Sequence, residues 1–168
     1  NEEPLKIMKF KISNLVNENK NIKLLVYVKP VLGEDEFLSQ GNIFLEKNNN
    51  CLIVKNAFRD EAFKEKMMFI SSNLPINSFT GEKNDFFGNG DLLNPDALYK
   101  LLNNNSGLGK QACVGIEFVI KLDKFECKEF NIIIGEENSI EKIDEYVNKY
   151  ETEEVVDEEM EKCQNRWN

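Results

Sequence analysis

The amino-acid sequence predicts an all-β fold, a sandwich of stacked antiparallel sheets with its main helices at the C-terminal end. Three observations predict it. Short apolar runs recur between residues 5 and 134, separated by polar turns rich in Asn, Asp and Gly. The clearest run alternates Val114, Ile116, Phe118, Ile120 and Leu122 with Gly115, Glu117, Val119 and Lys121, the period of a strand. Sustained helical spacing of apolar residues follows only after Gly135. Strands first and helices afterwards is the order expected of a sandwich with an appended helical segment.

Leu5 to Ile12 reads as the first strand. Its apolar positions pass from Leu5 and Ile7 to Met8, Phe10 and Ile12, a change of parity that predicts a bulge or twist near Ile7 and Met8. Asn17 to Asn21 is a polar turn. Ile22 to Leu32 puts Leu24, Val26 and Val28 on one face and Leu25 and Tyr27 on the other, so both faces are covered. Pro30 belongs at an edge or a bulge. Phe37 to Leu45 is irregular, with a short strand near Ile43. Asn48, Asn49 and Asn50 turn the chain into the strand Cys51 to Lys55. Phe58 to Phe63 is a polar connection with two aromatic anchors, and Lys66 to Ser72 is the next strand. Beyond Leu122, Asp123 to Cys127 turns the chain and Glu129 to Ile134 returns antiparallel, ended by Gly135. Asn138 to Glu141 resembles a capping box, and Ile140, Ile143, Val147 and Tyr150 follow at helical spacing. Val156, Met160, Cys163 and Trp167 repeat that spacing on a second helix from Val155 to Trp167.

The stretch from Ile76 to Cys113 organises the rest. It is too long and too rich in Gly, Asn and Asp for a hairpin turn, and loops of that length inside a compact domain are usually functional or disordered. Phe79, Phe86, Phe87, Leu92, Leu93, Leu98, Leu101 and Leu102 are expected to anchor it, which argues against disorder. Pro95 to Leu102 is expected to form a short helix with Pro95 at its first position.

Composition narrows the function. The 168 residues suffice for one core but hardly for two domains. The net charge of −9 resides entirely in residues 136–162, and the remaining acids and bases cancel. That tail reads as a solvated helix face, and without a basic patch nucleic acid is not an expected partner. No run approaches the length of a membrane span, and no signal peptide opens the chain. The chain begins with Asn, which suggests a processed or excised piece. Cys51, Cys113, Cys127 and Cys163 lack metal or redox spacing, and the first three read as buried thiols. Reduced thiols without a signal favour the cytoplasm. There is no His, so triad chemistry, imidazole ligation and His acid–base catalysis are excluded. No metal site and no cofactor is expected.

The ordered residues Ser78-Phe79-Thr80-Gly81-Glu82-Lys83, Phe86-Phe87-Gly88, Asn89-Gly90, Asn94-Pro95, Ala97-Leu98, Gly107-Leu108-Gly109 and Cys113 resemble the motif series of the cellobiose-phosphorylase-like enzymes. This family was formerly glycosyltransferase family 36 and includes the phosphorylase-like region of cyclic β-1,2-glucan synthetases. Ile116-Glu117 to Gly135 and the helix Ile140 to Tyr150 extend the resemblance over nearly the whole chain. It implies an N-terminal β-supersandwich of the galactose-mutarotase-like kind, a carbohydrate-binding and dimer-forming domain. A helical linker and an (α/α)6 barrel with the catalytic acid and phosphate site follow it in the family. On that resemblance residues 1–137 are the sandwich domain and residues 138–168 the linker leading toward a barrel absent from this chain. Three departures stand out: Glu82-Lys83 replaces an Asp-Arg pair, with loss of the bidentate fork of Arg; the Arg before Asn89 is missing; and Lys110-Gln111-Ala112 replaces Leu-Asp-Pro.

The resemblance places Phe79, Thr80, Gly81, Glu82, Lys83, Gly88, Asn89 and Gly90 on a substrate-proximal loop, beside Tyr99. The plainer reading is that the three Phe residues anchor the loop while Glu82 and Lys83 pair on its surface. Asp96 reads as a helix N-terminal charge, and Asp85 and Asp91 as turn residues bonding their own backbone. Tyr99 is the attractive ring for stacking on a sugar. The expected function is a non-catalytic domain of an inverting glycoside phosphorylase or glycosyltransferase-like enzyme acting on β-glucosides. Its partners would be the parent's own barrel, an oligosaccharide or β-glucan, and a second copy in a homodimer. The alternatives are a free-standing carbohydrate-binding module and a small enzyme using carboxylates. A severed interface predicts an exposed apolar patch on the Val155 to Trp167 helix.

Overall fold

Two antiparallel sheets stack face to face, and each carries a cover on its outer face. The structure is a computed structural model that describes residues 3–33, 36–57, 65–107 and 111–167. Its strands are β1 (Leu5–Ser13), β2 (Lys20–Val28), β3 (Ile43–Asn48), β4 (Cys51–Asn56), β5 (Met67–Ser72), β6 (Ile76–Glu82), β7 (Ala112–Leu122) and β8 (Cys127–Glu137). Its helices are α1 (Glu36–Gln40), α2 (Lys83–Phe87), α3 (Ile140–Lys149) and α4 (Glu153–Trp167), with a 3-10 turn at Asp96–Leu98. The larger sheet has the order β1-β8-β5-β4-β3 and the smaller β2-β7-β6. β1 pairs with β8 and β2 with β7, so the turns β1–β2 and β7–β8 both arch from one sheet to the other. The buried amide of Asn14 ties the two arches, donating to Glu18 O at 2.7 Å and Asp123 O at 2.8 Å.

Leu45, Leu52, Val54 and Ile70 of the larger sheet meet Phe79, Val114, Ile116 and Phe118 of the smaller in the central core. The outer face of the larger sheet is apolar too. Cys51, Ile53, Met67, Phe69 and Ile133 pack there against Ile143 and Val156 of the helices and Tyr150 between them. α3 starts where Ser139 accepts the Lys142 N–H, so the cap is Ser139 rather than Asn138. Lys9 of β1 reaches Asp157 of α4 and Glu129 of β8, each at 2.6 Å.

That helical cover explains the parity change in the first strand. β1 keeps unbroken register with β8, and the expected bulge is absent. Leu5 and Ile7 lie under the helices, while Met8 and Ile12 face the central core. Other boundaries move. β2 ends at Val28, short of Pro30; β8 runs two residues past Gly135; α1 occupies part of the stretch read as irregular. The connection Phe58 to Phe63 lies outside the described residues. Cys127 is exposed, not buried, because it falls at the start of β8 beside the arch. Among the described residues no helix is long and apolar enough to cross a membrane. On α4, Val156 is buried, whereas Met160 and Cys163 emerge at the surface as the helix passes β1. The Trp167 side chain lies outside the described residues.

The stretch from Ile76 to Cys113 is not a loop throughout. Its first seven residues are β6, an edge strand, and α2 follows directly. The expected helix from Pro95 to Leu102 is a single 3-10 turn, with Pro95 just before it rather than inside. Of the expected anchors, Phe79, Phe86 and Leu102 are buried and Phe87 half-buried. Leu92 and Leu93 are 70% and 90% exposed, and Leu98 and Leu101 also face outward.

Candidate functional site

The cap over the smaller sheet is built from residues 83–107. Phe86, Ala97 and Leu102 form its apolar underside and rest on Leu25 and Tyr27 of β2. The rings of Tyr27, Phe86 and Phe87 meet with centroids 4.8–5.1 Å apart, two of the three contacts edge-on. From Leu102 to Gly107 the chain returns along the open edge of β6. Asn104 exchanges backbone and side-chain bonds with Phe79, and Gly81 donates to Asn105 O at 3.0 Å. An edge strand that would otherwise expose its ladder is thereby occupied.

Polar side chains buried beneath the cap hold it. Asp85, 4% exposed, accepts from Asn103 N at 3.0 Å, Asn103 Nδ2 at 2.7 Å and Lys100 Nζ at 3.2 Å. It therefore bonds across the cap rather than to its own turn. Asp91 does bond its own backbone, accepting from Leu93 and Asn94 N–H at 2.9 Å. Glu117, in the middle of β7, is 1% exposed. A register shift at Asn77 brings that amide to Glu117 Oε1 at 2.5 Å, and Oε2 lies 2.9 Å from the Lys23 ammonium. Lys23 also donates to Ala97 O at 3.1 Å and Lys100 O at 2.9 Å. A single ammonium thus joins the sheet's buried carboxylate to the 3-10 turn.

Among the residues expected at the site, Phe79, Thr80 and Gly81 are buried structural parts of β6. A Cβ on Gly81 would meet Ser106 O at 2.3 Å, so the returning chain can approach only a glycine there. Glu82 is half-buried, and Lys83 points to solvent while its backbone N–H donates to Gln111 O at 3.0 Å. Gly88, at φ 55°, lies against Asp96, whose carboxylate a side chain would strike. Lys83, Gly88 and Gly90 come together around a surface depression of about 390 Å3 with Phe87 in its wall, and Asn89 is exposed nearby. Tyr99 stands apart on the cap's surface, 77% exposed, its hydroxyl donating to Asn94 Oδ1 at 2.7 Å.

Lys23, Asn77 and Glu117 were invisible as cap residues in the sequence. One signal pointed that way: Glu117 shares its face of β7 with Cys113 and Gly115, too small and apolar a set for open solvent. The arrangement holds no acid–base pair, because both buried carboxylates are committed to lysines and amides. Burial first, and then the nearby Asp85 charge, pushes the Cys113 thiol up to about 12, which leaves it un-ionised at neutral pH. Among the described residues no cluster of Cys, Asp and Glu could hold a metal ion. Residues 1–153 match the family model described as "Glycosyl hydrolase 94, supersandwich domain". No curated protein matches the chain.

Proposed function

The chain belongs to the glycosyl hydrolase 94 supersandwich-domain family, and on that premise we propose that it is the non-catalytic N-terminal domain of a glycoside phosphorylase-type enzyme acting on β-glucosides. The observation that carries this reading is the cap. It is fixed to the sheet by buried bonds, lacks catalytic pairs, and turns Leu92, Leu93, Tyr99 and Leu101 outward. Exposed apolar surface concentrated in ten residues marks an interaction site. In this reading the cap docks on the (α/α)6 barrel of the parent chain, with Lys83 and Tyr99 nearest the sugar. The barrel transfers a glucosyl unit between phosphate and the β-glucoside with inversion, and a homodimer is built on the supersandwich.

The test is release of glucose 1-phosphate from cellobiose and from β-1,2-linked glucobiose in phosphate buffer. The expected result is none from the 168-residue chain and turnover once it is joined to the barrel segment. Replacing Leu92, Leu93 and Leu101 together by Ser should reduce that turnover without unfolding the domain. Turnover by the chain alone would overturn the reading. Binding of a glucan by the chain alone, lost on Tyr99→Ala, would favour a carbohydrate-binding module instead.

A further inference from the structure

We propose that the chain holds a neutral hexopyranose in a second place, the asparagine-lined pocket between the β3–β4 turn and the C-terminal end of α3. This pocket lies on the helix-covered side of the sandwich, away from the cap. It encloses about 340 Å3, at the small end of the ~300–1,000 Å3 typical of ligand clefts. Its frame is fixed before any ligand arrives. Asn50 donates to Ser72 O at 2.7 Å and Leu74 O at 2.8 Å and accepts the Ile76 N–H at 2.8 Å. Asn48 Nδ2 donates to Asp144 Oδ1 at 3.0 Å and joins the turn to α3.

Other polar groups at the pocket are uncommitted. The side chains of Asn49, Asn148 and Glu151 line it and make no hydrogen bond or ion pair with a described residue. Asn73 accepts the Asn131 N–H at 2.9 Å through Oδ1 and keeps its NH2. The lining therefore mixes amide donors, amide acceptors and carboxylate acceptors beside the apolar Ile133 and Val147. Sugar hydroxyls both donate and accept, and the C–H face of a pyranose packs on an apolar wall. Asp144 and Glu151 make the site unfavourable for phosphate. The Cys51 thiol in the wall, pushed up to about 12 by burial, adds no nucleophile.

The test is a residue-resolved NMR titration of the 168-residue chain with glucose and with cellobiose. Saturable millimolar shifts are expected at the amides of Asn48 to Cys51, Asn73 and Asp144 to Glu151, with those around Tyr99 unmoved. Asn49→Gly retains the left-handed φ of 51° without strain, and Asn148→Ala removes an exposed amide. Each should weaken binding about fivefold to tenfold, the loss of one or two hydrogen bonds, with circular dichroism unchanged. The proposal is overturned by the absence of saturable shifts at these amides, by shifts confined to the cap, or by unaltered affinity in both variants. Equal or tighter binding of inorganic phosphate or methylammonium would also overturn it, by making the pocket an ion site. No catalytic partner enters the measurement, so its failure leaves the cap reading intact, and the reverse holds.

Discussion

Both sheets of the sandwich bury their outer faces, and they do so by opposite means. Over the larger sheet two regular helices lay down an apolar stripe of Ile143, Val147 and Val156, and their acidic faces stay in water. Over the smaller sheet lies a chain with one short helix and one 3-10 turn, held by the buried carboxylates of Asp85 and Glu117 and by the half-buried Lys23. The helical cover rests on area, which is non-directional and tolerates small shifts. The cap has too little apolar underside for that. Its position is set by individual bonds made where water does not compete, and such bonds are costly to break singly.

Removing the cation that pins the buried Glu117 should therefore have the largest effect. Lys23→Met leaves Glu117 buried without its cation and releases the carbonyls of Ala97 and Lys100. Breaking a buried pair from one side costs about 3–5 kcal/mol, to be read from urea denaturation. The double variant Lys23→Met with Glu117→Leu should recover much of that loss, because no charge is then stranded. If Lys23→Met alone proves near-neutral, the cap is held by its apolar underside after all, and the contrast between the covers collapses.

The matching change in the other cover removes area only. Ile143 is fully buried against the sheet, and Ile143→Ala should cost about 2–5 kcal/mol through lost transfer energy and the cavity left behind. It should not disturb the cap. Hydrogen exchange ought to quicken in β4 and α3 while the amides of β6, Asn103 and Asn104 stay protected. Uniform acceleration in both regions would mean that the two covers open as one unit.

The same contrast decides what could be read from the sequence. The helical cover was legible because 3.6-residue spacing needs only local information, as Ile143, Val147 and Tyr150 show. The β7 alternation was legible for the same reason. In the first strand the parity change does not mark a bulge: Leu5 and Ile7 break the pattern because a helix from the far end of the chain lies over them. The cap was legible as an organised stretch but not in its parts. Leu92, Leu93 and Leu101 look like anchors by residue type, and only the fold turns them outward. Lys23 and Glu117 lie 94 positions apart in sequence, and nothing local announces that one ammonium joins them to the Ala97 carbonyl.

A smaller effect is expected where the cap's chain passes closest to β6. A methyl on Gly81 would stand 2.3 Å from Ser106 O and 2.8 Å from Gly107 N, both backbone atoms that give way only if the returning segment moves. Gly81→Ala should cost about 1–3 kcal/mol, as overpacking does. It should also weaken the protection of the Asn104 amide, bonded to Phe79 O, more than that of Asn103, which Asp85 still holds. Equal loss at both would show that the cap shifts as a rigid piece.

The smallest effect concerns the charges that dock the helices, whose carboxylates keep contact with water where Glu117 and Asp85 of the other cover are sealed from it. Lys11 and Lys9 hold the Glu129 carboxyl down at about 2, and Lys9 also grips Asp157 of α4. A carboxylate whose pKa is depressed by folding stabilises the fold above its ordinary value near 4.5. That contribution fades as the pH falls from there toward 2. The urea midpoint should thus drop on acidification across this window, and Glu129→Gln should flatten the acid arm of the curve. Because Glu129 and Asp157 keep contact with water and Lys11 faces solvent, salt should shrink the difference between variant and parent at neutral pH. The penalty of Lys23→Met, arising from a carboxylate inside the protein, should respond far less to salt. A salt response of the same size in both would place the Lys23 and Glu117 pair in effective contact with water, and the cap would then owe its position to the aromatic contacts of Tyr27 with Phe86 and Phe87.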